Sequence, residues 1–174
     1  EERHSIGANA YVEERKKEGS SFQDTFFIMA EPHYDNIVIG ATGKVLYRVD
    51  IYGAGGHAST PEQGINAIDC MAEFLTHVNR ILTPRYTHGT CASHCCLRVE
   101  SSYQGYSLNI PEHCFCLLNK QLNPAENADL FGDELKRLYQ KHVNRGSIAV
   151  TRQIPSYPSY QLASDQKDVA GLTG

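Results

Sequence analysis

The chain lacks the features that mark several large classes of protein. It has no block of lysine and arginine, and the formal net charge of its 174 residues is −4. Nucleic acids and anionic membranes require a basic footprint, so neither is expected as a partner. No apolar run approaches the roughly 20 residues of a membrane span, and the opening residues Glu-Glu-Arg-His do not resemble a signal peptide. We therefore expect a cytoplasmic protein.

Cysteine is present, but not in the spacing of paired Cys-x-x-Cys zinc knuckles. A chain of this size without a secretory signal does not need a disulfide framework, so we expect reduced thiols. An alternative interpretation is a small zinc-binding protein, because thiolate and imidazole are the ligands that structural zinc prefers. Its site would combine residues from two segments that are expected to pair: Cys91, His94, Cys95, Cys114 and Cys116.

Residues 1–42 have the pattern of a helix followed by a strand. Ile6 to Lys17 is helix-like with a charged face, and the apolar run from Thr25 to Ala30 ends at Glu31-Pro32. A continuously apolar strand is typical of a sheet covered on both faces. We interpret the segment as a fragment of an α/β domain.

From residue 43 the pattern predicts four strands and two helices. Alternating apolar residues predict a strand over 44–52, and apolar residues spaced by three and four predict helices over 68–82 and 130–142. Further strands are predicted over 91–100, 113–122 and 147–153. The order β-α-β-β-α-β predicts an α+β, ferredoxin-like domain over 43–154, in which two helices cover one face of a four-stranded antiparallel sheet. Two prolines within 154–160 indicate that the chain then leaves the domain, so 155–174 is interpreted as a linker and returning segment.

The most informative segment connects the first strand of this domain to its first helix. Gly53-Ala54-Gly55 leads into the run Gly56-His57-Ala58-Ser59-Thr60-Pro61-Glu62-Gln63-Gly64-Ile65-Asn66. It places one imidazole on a glycine-rich corner. The glycines before His57 remove side-chain bulk, so a ligand or a partner surface can approach the ring.

This segment, with Glu1-Glu2 and Ala30-Glu31-Pro32, resembles the dinuclear zinc amidohydrolases and exopeptidases that include acetylornithine deacetylase, succinyl-diaminopimelate desuccinylase and aminoacylase. The corner pattern of that family is met at Gly53, Gly56, His57, Ala58, Ser59, Pro61, Gly64, Asn66 and Ala67. The resemblance implies a lid domain that forms a homodimer and is inserted into a catalytic domain holding two zinc ions. It also implies hydrolysis of the amide bond of N-acyl amino acids or small peptides.

The same resemblance implies roles for individual residues. Glu1 corresponds to the general base, Glu2 to a metal ligand, and Glu31, at the end of the apolar strand, to a second metal ligand. His57 corresponds to a histidine that reaches into the active site of the opposite subunit, where it stabilises an oxyanion or the substrate carboxylate.

Two substrate-binding residues are implied as well. Asn109 resembles the asparagine of an Asn-x-Ile-Pro loop, although one residue is missing between Asn109 and Ile110. Lys120 stands where an arginine is expected to grip the substrate carboxylate, and lysine lacks the bidentate fork of arginine.

The family's upstream His-x-Asp segment, bridging aspartate and downstream histidine ligand have no counterpart here. Glu2 and Glu31 cannot hold two ions, because a catalytic zinc normally takes three protein ligands. We therefore expect the chain alone to be inactive and to retain no zinc stably. The alternative from another class is a ferredoxin-like module that dimerises without any catalytic role.

Overall fold

The computed structural model describes residues 6–22, 39–85, 93–101 and 108–162. The chain divides into two compact units, residues 1–39 and 40–174. In the first unit the described element is helix α1, Ile6–Lys17, which has the predicted bounds and no buried residue. The predicted strand over 25–30 lies outside the described residues.

The second unit contains two antiparallel sheets and two helices. Its elements in chain order are β1 (Gly40–Ala41), β2 (Gly43–Tyr52), α2 (Ala67–Leu82), β3 (His94–Ser101), β4 (His113–Leu122), α3 (Ala128–His142), β5 (Ser147–Tyr157) and β6 (Tyr160–Gln161). The larger sheet has the order β3-β4-β2-β5, and the smaller one pairs β1 with β6. The predicted combination of helices with antiparallel sheet is thereby confirmed.

The central strands alternate between a buried and a more exposed face, except at Asp50 of β2, which is also buried. Val49 of β2 lies opposite Cys116 of β4 on one side and Val150 of β5 on the other. The buried face packs against the apolar stripes of both helices in one core. Phe74 of α2 and Tyr139 of α3 meet there edge to face, with ring centroids 5.9 Å apart. The core therefore lies between the sheet and the helices and fixes the ends of β2 and β4.

Helix α2 begins after the cap residue Asn66. The Asn66 side chain accepts a hydrogen bond from the Ile68 N–H at 2.9 Å and caps the helix. Thr60-Pro61 instead begins the short 3-10 turn Pro61–Gln63, and the Thr60 side chain caps nothing there. The corner is therefore longer than a direct strand-to-helix turn.

Strand β5 is longer than the sequence pattern predicts. It continues through Pro155 to Tyr157, and Tyr160–Gln161 then pairs with Gly40–Ala41. Proline is tolerated here because β5 is an edge strand, where one side of the backbone needs no ladder partner. The two short strands that flank β2 to β5 in the chain consequently lie side by side. None of the helices in the described ranges is long and apolar enough to cross a membrane.

Candidate functional site

The ribbon formed by β2 and β4 extends beyond the sheet and carries both His57 and Asn109. After the last ladder pair the Gly53 N–H donates to the Glu112 carbonyl at 2.7 Å. The two segments meet again where His57 and Asn109 form an isolated antiparallel bridge. Thus two residues far apart in sequence, both predicted as site residues, lie directly opposite each other.

The bridge is held by hydrogen bonds on either side of it. The Ile110 N–H donates to the Gly56 carbonyl at 2.8 Å, and the Ala58 N–H donates to the Leu108 carbonyl at 2.6 Å. A second bridge pairs Ala54 with Ile65, the residue before the α2 cap. The corner is therefore held by two backbone bridges and the hydrogen bonds beside them.

Close packing explains the glycines of the corner. A Cβ atom at Gly53 would lie 2.0 Å from the Ile65 carbonyl oxygen. The Ile110 side chain is buried and wedges between Gly56 and Gly64, where a Cβ atom would lie 2.9 and 2.6 Å from its Cδ1. The glycines let the segments approach closely, as well as leaving His57 accessible.

The imidazole of His57 is exposed and has a defined hydrogen-bond partner. Its Nδ1 accepts a hydrogen bond from the Ser59 N–H at 3.2 Å and lies 2.7 Å from the Ser59 hydroxyl. Because Nδ1 acts as an acceptor, the neutral ring carries its proton on Nε2. The geometry therefore provides an outward-facing N–H donor.

Lys120 lies in a different environment. Counting along β4 places it on the buried face, and it is only 1% exposed. Its ammonium donates to both carboxylate oxygens of Glu126, at 2.8 and 3.0 Å, and to the Gln121 carbonyl at 2.7 Å. The structure thus pairs the charge of Lys120 inside the domain, and contact with a substrate stays a prediction.

The predicted metal ligands cannot be placed. Glu1, Glu2 and Glu31 lie outside the described residues, as does Cys91. Within the described ranges, no group of three or more histidine, cysteine, aspartate or glutamate side chains could hold a metal ion. The described residues therefore do not fit the two zinc ions that the resemblance implies, and His94, Cys95, Cys114 and Cys116 do not assemble the small zinc site.

The helix-free face of the sheet carries a charged network that sequence reasoning missed. The Arg48 guanidinium makes three hydrogen bonds to the Asp50 carboxylate, from Nε and Nη2, at 2.8–3.1 Å, and His113 Nε2 lies 2.8 Å from Asp50 Oδ1. Burial raises the pKa of Asp50, but the hydrogen bonds from Arg48 and His113 outweigh it and hold that pKa below its usual value. His113 also stacks on Tyr52, the last residue of β2, with ring centroids 4.9 Å apart. The network therefore links the end of β2 to the start of β4, the two strand ends from which the corner extends.

A second missed feature is a cavity of about 240 Å³ beside the corner. Its walls include Asn109 from the ribbon, Asp69 from the first turn of α2, and Arg145 from the turn between α3 and β5. The turn sequence Asn144-Arg145-Gly146 was the available signal, because asparagine and glycine favour left-handed backbone conformations.

Comparisons with known proteins agree with this architecture. A family model described as "Peptidase dimerisation domain" matches residues 39–147. An acetylornithine deacetylase from Vibrio atlanticus is 28% identical over 180 residues, which cover 99% of this chain and 46% of that protein. One from Buchnera aphidicola is 26% identical, covering 96% and 44% respectively. The chain therefore spans about half the length of these relatives.

Solved structures show the same fold at low sequence identity. A tripeptidase from Staphylococcus aureus superposes with a TM-score of 0.60 at 16% identity, covering 75% of this chain and 33% of that one. An amidase of the hydantoinase/carbamoylase family from Burkholderia phymatum gives 0.61 at 13% identity, covering 73% and 32%. With the family model matched over residues 39–147, these findings establish that the chain belongs to the M20 family of hydrolases through its peptidase dimerisation domain.

Proposed function

We propose that this chain is the lid and dimerisation region of a metal-dependent amidohydrolase that cleaves N-acyl amino acids or small peptides. The single observation that carries the proposal is the His57–Asn109 bridge, which presents an imidazole and an amide side by side on a paired ribbon. The names of the relatives, acetylornithine deacetylases among them, support the same reaction class. The order of elements and strands supports a ferredoxin-like lid.

In this proposal His57 stabilises charge that develops on the substrate. An N–H donor held in place before the reaction is a large catalytic contribution, commonly about 3–4 kcal/mol for one donor in an oxyanion hole. The contact of Ser59 with Nδ1 keeps the proton on Nε2, the outward nitrogen. The metal ligands are expected in the catalytic domain, and a metal held there would supply a Lewis acid for the carbonyl and for water.

A homodimer is part of the proposal, because the family assignment rests on a dimerisation domain. Strand β3 is the better of the two sheet edges for this contact. It exposes Leu97 by 60% and Val99 by 47%. The other edge, β5, carries exposed small or polar residues at Ser147, Ala149 and Thr151 and contains a proline. An apolar edge strand is a natural template for pairing with a second chain.

Helix α2 lies on the same side of the unit as β3. His94 of β3 is hydrogen-bonded to Asn79 of α2, with 2.9 Å between Nε2 and Oδ1. A two-fold axis at the edge of β3 would therefore bring α2 of one copy toward α2 of the other and extend the sheet to eight strands. Ile68 of α2, 42% exposed, is an apolar residue available for such a contact.

Analytical ultracentrifugation tests the dimer. We expect the chain to sediment as a dimer, and Leu97→Lys to convert it to a monomer, because a buried charge opposes edge pairing. Leu130→Lys is the matched control, since Leu130 is 65% exposed on α3 and should leave the dimer intact. A monomeric parent chain, or equal effects of the two variants, would contradict the proposed interface.

Assays of N-acetyl amino acid hydrolysis with and without added zinc test whether this chain is catalytically inactive by itself. We expect no hydrolysis by this chain, because its sequence has no counterpart of the family's His-x-Asp segment, bridging aspartate and downstream histidine ligand. Zinc-dependent turnover by the chain alone would show that it holds a complete active site and is more than a lid region. A non-catalytic dimerisation module is the alternative, and a parent protein lacking the metal-binding segments would favour it.

A further inference from the structure

The ribbon that carries His57 leaves the sheet at the pair formed by Tyr52 and His113. These two residues are the last ladder pair of β2 and β4. Beyond them the two segments are joined by single backbone hydrogen bonds and by the bridge between His57 and Asn109. A two-stranded ribbon is at best marginally stable in water by itself. The orientation of this ribbon therefore depends on the contacts at the point where it leaves the sheet.

Part of the support for the ribbon comes from the start of helix α2. Ala54 is bridged to Ile65, and the Ala67 N–H donates to the Pro111 carbonyl at 2.9 Å. Both contacts are made by the backbone and do not involve the charged network of the sheet. Loss of the network should therefore loosen the ribbon without releasing it.

The other part comes from the side chains beside the last ladder pair. Asp50 lies on β2 and is only 7% exposed. Its carboxylate can only accept hydrogen bonds, so His113 Nε2, at 2.8 Å, is the donor. This contact crosses from β2 to β4, whereas the hydrogen bonds from Arg48 stay within β2. The hydrogen bond between Asp50 and His113 is therefore the contact of the network that holds the two strands relative to each other.

The imidazole of His113 also contacts the residue from which the corner starts. It stacks on the ring of Tyr52, with centroids 4.9 Å apart and 22° between the planes, and it lies 6.2 Å from the ring of Phe115. Tyr52 is the last residue of β2 and directly precedes the glycine-rich corner. A displacement of His113 would therefore displace the residue from which the ribbon extends.

We propose that Asp50 and His113 are positioning residues for His57. Their hydrogen bond, with the stacking of His113 on Tyr52, fixes the angle at which the ribbon leaves the sheet and hence the place of the outward-facing N–H of His57. The inference rests on the proposed function, in which His57 contacts the substrate, and it gives Asp50 and His113 no substrate contact of their own. A displacement of about 1 Å at a catalytic group can cost roughly a hundredfold in rate, so such positioning matters for the reaction.

Nuclear magnetic resonance of the ¹⁵N-labelled full chain tests the orientation of the ribbon. Residual dipolar couplings report the orientation of each N–H in the domain, and hydrogen exchange reports local opening. The probes are the amides of Ala58 and Ile110, which donate the hydrogen bonds on either side of the bridge. In Asp50→Asn and in His113→Phe, we expect their couplings to shrink by roughly a third or more and their exchange to accelerate about tenfold or more. The amide of Cys116, in the central strand β4, should keep its coupling and exchange within about twofold of the parent rate.

Substitutions of Tyr52 test the stacking contact without touching the buried carboxylate. Tyr52 is 46% exposed, so Tyr52→Ser should loosen the ribbon and leave the core folded. Tyr52→Phe retains the ring and should restore the parent couplings. Glu100→Gln is the matched control, because Arg98 and Glu100 form an ion pair with the same two-residue spacing on β3, on the other side of β4. This control should give the couplings and exchange rates of the parent chain.

The outcomes separate positioning from a general contribution to stability. Equal acceleration of exchange in the ribbon and at Cys116 would show that the network stabilises the whole domain, and it would overturn the inference. Unchanged couplings in Tyr52→Ser, or the same loss in Glu100→Gln, would overturn it as well. If Asp50→Asn or His113→Phe does not fold, the two Tyr52 variants decide the question.

Failure of the proposed function would be recognised by different measurements. Zinc-dependent turnover by this chain, or its sedimentation as a monomer, would contradict that function while the ribbon couplings still changed as expected. A dimer without turnover, in which the network variants leave the ribbon unchanged, would keep the proposed function and overturn the inference about Asp50 and His113.

Discussion

The ion pair between Lys120 and Glu126 offers a quantitative test of how this domain tolerates an internal charge. The Lys120 side chain is 1% exposed, whereas that of Glu126 is 35% exposed. Removing one partner of a buried pair costs about 3–5 kcal/mol, because the other charge stays buried and unpaired. Since a third of Glu126 reaches water, screening reduces this figure, and we expect Glu126→Ala to lower the free energy of unfolding by about 2–3 kcal/mol.

The replacement of Lys120 should behave differently. Methionine occupies a similar volume without a charge to desolvate, so Lys120→Met should cost about 1 kcal/mol or less. For the same reason, adding Lys120→Met to Glu126→Ala should recover stability rather than lose more of it.

Urea unfolding followed by circular dichroism measures these differences. If the free energy of unfolding falls by about 2 kcal/mol per M urea, Glu126→Ala should lower the urea concentration at the unfolding midpoint by about 1 M. The double variant should lie closer to the parent chain than Glu126→Ala does. If the losses of unfolding free energy caused by Glu126→Ala and Lys120→Met simply add in the double variant, the unpaired charge of Lys120 is not the source of the destabilisation, and the reasoning is refuted.

Two further predictions concern stability. Burial, followed by the charge of Lys120, lowers the pKa of His94, and burial with neighbouring His77 lowers that of His142. At these two histidines the folded state therefore binds fewer protons than the unfolded state, so the free energy of unfolding should fall as pH drops below about 6.5. In the variant with both His94→Gln and His142→Gln, the free energy of unfolding should fall less between about pH 7.5 and 5.5. An equal fall in the variant and the parent chain would contradict this. Gly64→Ala should lower the melting temperature, because its Cβ would lie 2.6 Å from the Ile110 Cδ1 and 2.8 Å from the Ala54 carbonyl oxygen; an unchanged melting temperature would show that the corner relaxes freely.

Much of the fold could be predicted because its elements follow simple periodicities. Helix α1 has the predicted bounds, and α2 begins one residue before its predicted start. The extension of β5 through Pro155 could not be predicted, since the tolerance of proline depends on edge position, which is a property of the assembled sheet.

The candidate site was predictable to a smaller extent. The glycine pattern around His57 identified the corner, but only the structure shows that Asn109 lies opposite it. Alternation from Cys114 along β4 could have placed Lys120 on the buried face, whereas its pairing with Glu126 depends on the turn that follows the strand. Arg145 was missed because Asn144 and Gly146 indicate only a turn, whereas the packing of that turn against the end of β2 depends on the folded structure.

The pairing of β1 with β6 has a consequence for the engineering of this protein. Gly40 lies opposite Gln161, so the two short strands that flank β2 to β5 in the chain are neighbours in one antiparallel ladder, with Cα atoms about 5 Å apart. A gene segment encoding residues between them can be added to or removed from a host chain while disturbing the host backbone at a single place. A two-residue turn joining Gly40 to Gln161 is therefore a realistic way to delete the intervening domain, and the same two positions are suitable for grafting it onto another scaffold.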